Sequence, residues 1–160
     1  MYPTTVMALF CEDIREEKGD VVTLVGILPD NVAVEDPSPG SEGRKSLSKL
    51  CIYIRISFDP ETEIGTPLLW LIMPDGTRIQ MGQIESALGE KSRSESRTRG
   101  NILAGVIARI TAGGFQPQHG SHKVEVEILG KTYLAAAITF NRPGAIASEP
   151  LSEQSPPAAS

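Results

Sequence analysis

Between Leu50 and Phe58 apolar and polar side chains change places at every position: Leu50, Ile52, Ile54, Ile56 and Phe58 fall on one side, and Cys51, Tyr53, Arg55 and Ser57 on the other. Successive side chains of an extended chain point to opposite faces, whereas a helix would scatter this pattern around its circumference. The pattern predicts a central strand over 47–58 with one face in a core.

Other segments repeat the signal. Thr5 to Ile14 and Asp20 to Leu28 are apolar-rich runs joined by Arg15-Glu16-Glu17-Lys18-Gly19, a charged spacer with glycine near its end, which predicts a hairpin. In its first arm Val6, Ala8 and Phe10 share one face and Met7, Leu9 and Cys11 the other, so both faces are expected to be covered. Pro67 to Met73 is apolar on both faces and ends at the turn Pro74-Asp75-Gly76, after which Arg78-Ile79-Gln80-Met81 forms the return arm. Val124, Val126 and Ile128 alternate with Lys123, Glu125 and Glu127, and Gly130-Lys131 closes a tight turn into a last strand over 132–140. Ile102 to Thr111 alternates as well; a helix competes there, but Gly105 and the β-branched residues favour a strand.

The remaining stretches read as breaks. Pro29 to Ser46 is polar and proline-rich, predicting a long exposed loop, and Gly113 to Gly120 interrupts the strands again. Gln83 to Gly100 offers at most one helical turn, at Ile84 to Leu88, because Lys91 to Arg99 contains no apolar residue; it is expected to be a solvated loop. The proline, serine and alanine of 142–160 supply too little apolar surface to offset the entropy of ordering, so a single domain over 1–141 followed by a flexible tail is expected.

A chain of 160 residues suits one core, and its 12 prolines and 15 glycines suit many turns. The net charge of −5 provides no long-range attraction to nucleic acid or to anionic membrane. No segment approaches the roughly 20 apolar residues of a membrane helix. The first residues lack the basic start and small-residue cleavage site of a signal peptide, so a cytoplasmic protein is expected. Cys11 and Cys51 occur without a CxxC or a third thiol, which signals neither a zinc site nor a disulfide framework and predicts buried free thiols.

Three clusters could carry chemistry. Cys11 beside Glu12, Asp13 and Arg15 resembles a nucleophile's surroundings, but two carboxylates oppose thiolate formation and the alternation places the thiol on an apolar face; a packed thiol at a strand end is the preferred reading. His119 and His122 sit three apart in a glycine-rich turn and are weak metal candidates, since a stable zinc site takes three or four ligands. Lys91, Arg93, Arg97 and Arg99 form a locally basic stretch without aromatic residues for base stacking, better suited to a protein partner than to nucleic acid. The chain contains no P-loop, dinucleotide fingerprint, nucleophile elbow or HExxH. No catalytic residue, cofactor or small-molecule ligand is therefore assigned.

Cys11-Glu12-Asp13-Ile14-Arg15, followed by Gly19 to Ile27, resembles the opening of a family of short uncharacterised bacterial proteins, a domain of unknown function. The spacing of Phe115, Gly120, His122, Val124 and Val126 is similar to the penultimate hairpin of immunoglobulin-like bacterial sandwiches. The resemblance implies a fold and carries no catalytic residues. The expectation is an all-β chain: one antiparallel, immunoglobulin-like β-sandwich of about seven to nine strands, with Leu50, Ile52, Ile54, Ile56, Leu69, Trp70, Leu71, Val106, Ile110, Val124, Val126, Ile128 and Ile138 in or beside the core. The expected function is a non-catalytic interaction module that binds a protein or itself through loops 29–46 and 84–100 or through a sheet edge. A structural component of a larger, phage-derived assembly and a small metal-dependent hydrolase using His119 and His122 are the alternatives.

Overall fold

The computed structural model describes residues 3–18, 21–34 and 47–142. Among them the chain forms β1 (Thr5–Glu16), β2 (Val22–Ile27), β3 (Asn31–Ala33), β4 (Leu47–Phe58), β5 (Leu68–Ile72), β6 (Arg78–Gln83), α1 (Ser86–Arg99), β7 (Ala104–Phe115), β8 (Gly120–Ile128) and β9 (Lys131–Asn141). The nine strands make two sheets, ordered β2-β1-β4-β7 and β3-β9-β8-β5-β6.

The alternating segments dictate the packing. Leu50, Ile52, Ile54, Ile56 and Phe58 of β4 are buried, and Ala8 and Phe10 beside them on β1 and Ala104 and Val106 on β7 join the same face. The other sheet contributes Leu69 and Leu71, Val124, Val126 and Ile128, and Ile138 and Phe140 to a single continuous core. Ile110, half-buried, packs beside this core as expected, whereas Trp70 is the exception: it faces outward, its ring covered by the Arg78 guanidinium at 4.1 Å. Arg78 lies on that outer face beside Glu127, at 3.3 Å.

The first hairpin does more than continue its sheet. β1 pairs with β4 from Thr5 to Cys11 and with β2 from Cys11 to Glu16, so it changes partner at Cys11. Beyond that point Asp13 reaches Lys49 on β4, and Glu16 reaches Arg109 on β7, one strand further across. The far half of the hairpin therefore bends over the outer face of its own sheet. Cys11 and Cys51, direct cross-strand partners on that face, are 0% exposed beneath it. The acids after Cys11 thus serve as fasteners.

Several expectations need correction. Residues 84–100 are not a solvated loop, because α1 occupies fourteen of them. It ends at Gly100, whose φ of 68° is left-handed, which glycine adopts without a Cβ clash, and whose N–H is directed at the carbonyls of Arg97 and Ser96. Residues 29–46 are not all loop either: Asn31–Ala33 forms β3, which pairs with β9 in parallel, so the sheets are not purely antiparallel. Positions 35–46 of that expected loop, and 143–160 of the expected tail, lie outside the described residues. The break at Gly113 also comes later than expected, since β7 runs on to Phe115. In the last hairpin, Ile128 pairs with Lys131, so the two-residue turn is Leu129-Gly130 with φ values of 50° and 78°. That is the doubly positive form matching strand twist, at some strain in Leu129.

Candidate functional site at the edge of β7

Among the described residues each sheet ends in a strand that no further strand pairs on its outer side, β7 in the first and β6 in the second. Between them runs an open groove of about 370 Å³, lined by Leu69, Met81, Ile84, Leu88, Ile107 and Ile110 together with the polar Gln83, Glu85 and Arg109. Of the ten large apolar side chains exposed among the described residues, Ile79, Leu88, Ile102, Leu103 and Ile107 belong to β6, α1, β7 or the approach to β7, and the other five lie elsewhere. Exposed apolar side chains next to an unpaired strand edge are one mark of an interaction site.

α1 closes one end of this opening with polar groups. Its buried residues are Gly89 and Ser96, and a Cβ on Gly89 would stand 3.0 Å from Ile64. The Ser92 hydroxyl lies 2.8 Å from the Gly105 carbonyl oxygen and 2.9 Å from its N–H, and the Ser96 hydroxyl donates to the Leu103 carbonyl at 3.1 Å. These serines occupy strand-edge groups that would otherwise be paired by another strand. Ser92→Ala is expected to cost about 1 kcal/mol of stability and to speed amide exchange at Gly105, measured by hydrogen exchange.

The same bonds fix which way the rest of β7 points. Gly105 directs its N–H and carbonyl to Ser92, away from β4, and backbone direction in an antiparallel pair alternates with a period of two. Ile107, Arg109, Thr111 and Gly113 therefore present their backbone groups outward, while Ala108, Ile110 and Ala112 bond to β4. An independent bond agrees: the Phe10 carbonyl accepts from Leu28 N–H on the side away from β4, so its partner Ile52 turns towards Ile110 on β7.

The basic residues singled out in the sequence lie on α1 rather than on a loop. Arg97 forms a two-pronged pair with Glu61 at 2.7 and 2.8 Å, Arg93 pairs with Glu90 at 3.0 Å, and Lys91 is 4.0 Å from Glu95. Arg99 is exposed in the last turn. Acids that alternate with these cations leave a mixed surface, not a phosphate-binding stripe.

The histidines are not brought into a ligand set. His122 is 0% exposed, its ring edge-on to Phe140 at 5.1 Å and to Phe115 at 5.8 Å. Among the described residues no group of three or more His, Cys, Asp and Glu is placed to hold a metal ion. Nor is Cys11 set up as a nucleophile: burial first, then Cys51 and Asp13, push its thiol up to about 11. The Asp13 carboxyl is held below its ordinary value by Lys49 and then Arg15. Iodoacetamide is expected to leave both thiols unmodified in the native protein and to label both after denaturation, as read by intact mass.

These features define an all-β chain of two packed sheets with, among the described residues, one strand edge left open beside a partly apolar groove. Comparison with family models, with curated proteins and with solved structures finds no match. Among the described residues no helix is long and apolar enough to cross a membrane.

Proposed function

We propose that the chain is a non-catalytic, immunoglobulin-like interaction module that takes an extended polypeptide segment on its open side. The observation that carries this reading is the outward-facing backbone row of β7 beside the partly apolar groove. An added strand meets the row's hydrogen-bonding needs and covers the groove with alternate side chains.

Strand order supports the immunoglobulin-like part. β4 beside β7, and β9-β8-β5-β6 in sequence, match the B–E neighbours and the G-F-C-C′ order of that architecture. In such domains strand D covers the edge of E. Here α1 stands between β6 and β7 in the chain and covers only the first residues of β7. The two signature core residues differ, because Trp70 faces out and Cys51 lies on an outer face without a disulfide. Adjacent cysteines that are both free thiols fit a reducing, cytoplasmic compartment.

A photoreactive phenylalanine introduced at Leu88 or Ile107, with Ser94 on the exposed side of α1 as control, tests this reading in cells of the source organism. Adducts to polypeptide from the two groove positions and not from the control are expected. No adducts, or equal adducts from all three, would sink it.

A further inference from the structure

We infer that the segment taken by the open edge is β7 of a second copy of this chain, paired antiparallel across a two-fold axis at Ile110. This rests on the reading of the edge given above and names its occupant.

Between Gly105, whose edge groups are held by Ser92, and Gly114, whose φ of 65° leaves the extended range, the outward-facing groups belong to Ile107, Arg109, Thr111 and Gly113, a set symmetric about Ile110. Two such rows placed head to tail put Ile107 opposite Gly113 and Arg109 opposite Thr111, so that every outward N–H meets an outward carbonyl. Charge disfavours the neighbouring register on one side, and on the other an axis at Thr111 would carry the pairing past the left-handed Gly114 to Phe115. A shift to an axis at Arg109 would set two arginines opposite each other, and like charges directly across a strand pair repel. The same shift would bring Gly105 opposite Gly113, but the edge groups of Gly105 are already held by Ser92. The helix thus limits the pairing to the stretch that begins at Ile107. Within it the only charged side chain is Arg109, which already has its own Glu16.

The pairing would join two four-stranded sheets into one of eight strands. It would also bring the two β6–β7 grooves side by side and cover Ile107, which is 43% exposed in the single chain. The copy fits because the row is its own complement in hydrogen bonding, and this register does not set the two Arg109 side chains directly opposite each other.

Cysteine cross-linking of the full chain tests the register. In it Ile110 faces Ile110 of the other copy as a non-hydrogen-bonded pair, and Cα atoms of such pairs lie about 4.5 Å apart, within disulfide range. Ile110→Cys is expected to give a covalent dimer under copper-phenanthroline oxidation. Ala108→Cys and Ala112→Cys are expected to remain monomeric alone and to cross-link when mixed. Thr111→Pro removes one outward N–H from each copy and the side-chain contact to Cys51 while leaving the backbone bonds to β4, and is expected to weaken self-association about tenfold in sedimentation equilibrium. A wild-type chain that stays monomeric on concentration, with Ile110→Cys no more cross-linked than Ala108→Cys alone, would overturn the pairing. Equal cross-linking of all three single variants would do the same. If that result came with groove-specific photo-adducts to another polypeptide, the second copy would be excluded as occupant and the strand-accepting edge retained.

Discussion

Replacing Phe58 by alanine is expected to lower the free energy of unfolding by about 3–5 kcal/mol, a large part of the roughly 5–15 kcal/mol typical of a domain. Phe58 is fully enclosed at the end of the alternating face of β4 and belongs to the core fed by both sheets. Removing its ring forfeits apolar burial and leaves a cavity that surrounding strands, fixed by their ladders, fill only in part. Met7→Ala, on the partly exposed outer face of β1, is expected to cost less than about 1 kcal/mol. Urea unfolding of the two variants checks the contrast. Similar losses would mean that the two faces are not distinguished by burial.

A second large effect is expected on acidification. His122 lies within the core against Phe115 and Phe140, and burial lowers its pKa from the ordinary 6.5, only partly opposed by the Gly120 carbonyl. The folded state therefore keeps the imidazole neutral at pH values where the unfolded chain takes up a proton. Stability is retained above pH 6.5, and falls below it by up to about 1.4 kcal/mol per pH unit until the folded-state pKa is reached. Nε2 of His122 has no hydrogen-bond partner among the described residues, so leucine should be tolerated there at neutral pH. His122→Leu is expected to flatten the dependence between pH 6.5 and 5, as measured by urea midpoints across that range. An unchanged slope would place the acid sensitivity elsewhere.

The strands that pack the core were legible because burial on one face writes a period of two into the sequence, as at Leu50 to Phe58 and at Val124 to Ile128. The hairpin reading of the Cys11 region was legible for the same reason, although the pairing of Asp13 with Lys49 and of Glu16 with Arg109 was not, since it spans separate strands. Helix α1 escaped notice because its inward face is Gly89, Ser92 and Ser96, so no apolar stripe was there to see. Available signals were the Glu90–Arg93 and Lys91–Glu95 spacings, Arg97 and Arg99 in the last turn, and Gly100 after it. β3 is too short at three residues to show periodicity, and only its neighbour β9 defines it. The open edge of β7 was invisible for a related reason: which backbone groups face out depends on the Ser92–Gly105 bonds between segments.

Residue-resolved amide hydrogen exchange on dilute, monomeric protein tests the outward row most directly. The amides of Ile107, Arg109, Thr111 and Gly113 should exchange rapidly, while those of Ala108, Ile110 and Ala112 between them stay protected by β4. Uniform protection along β7 in the monomer, or alternation of the opposite phase, would contradict it.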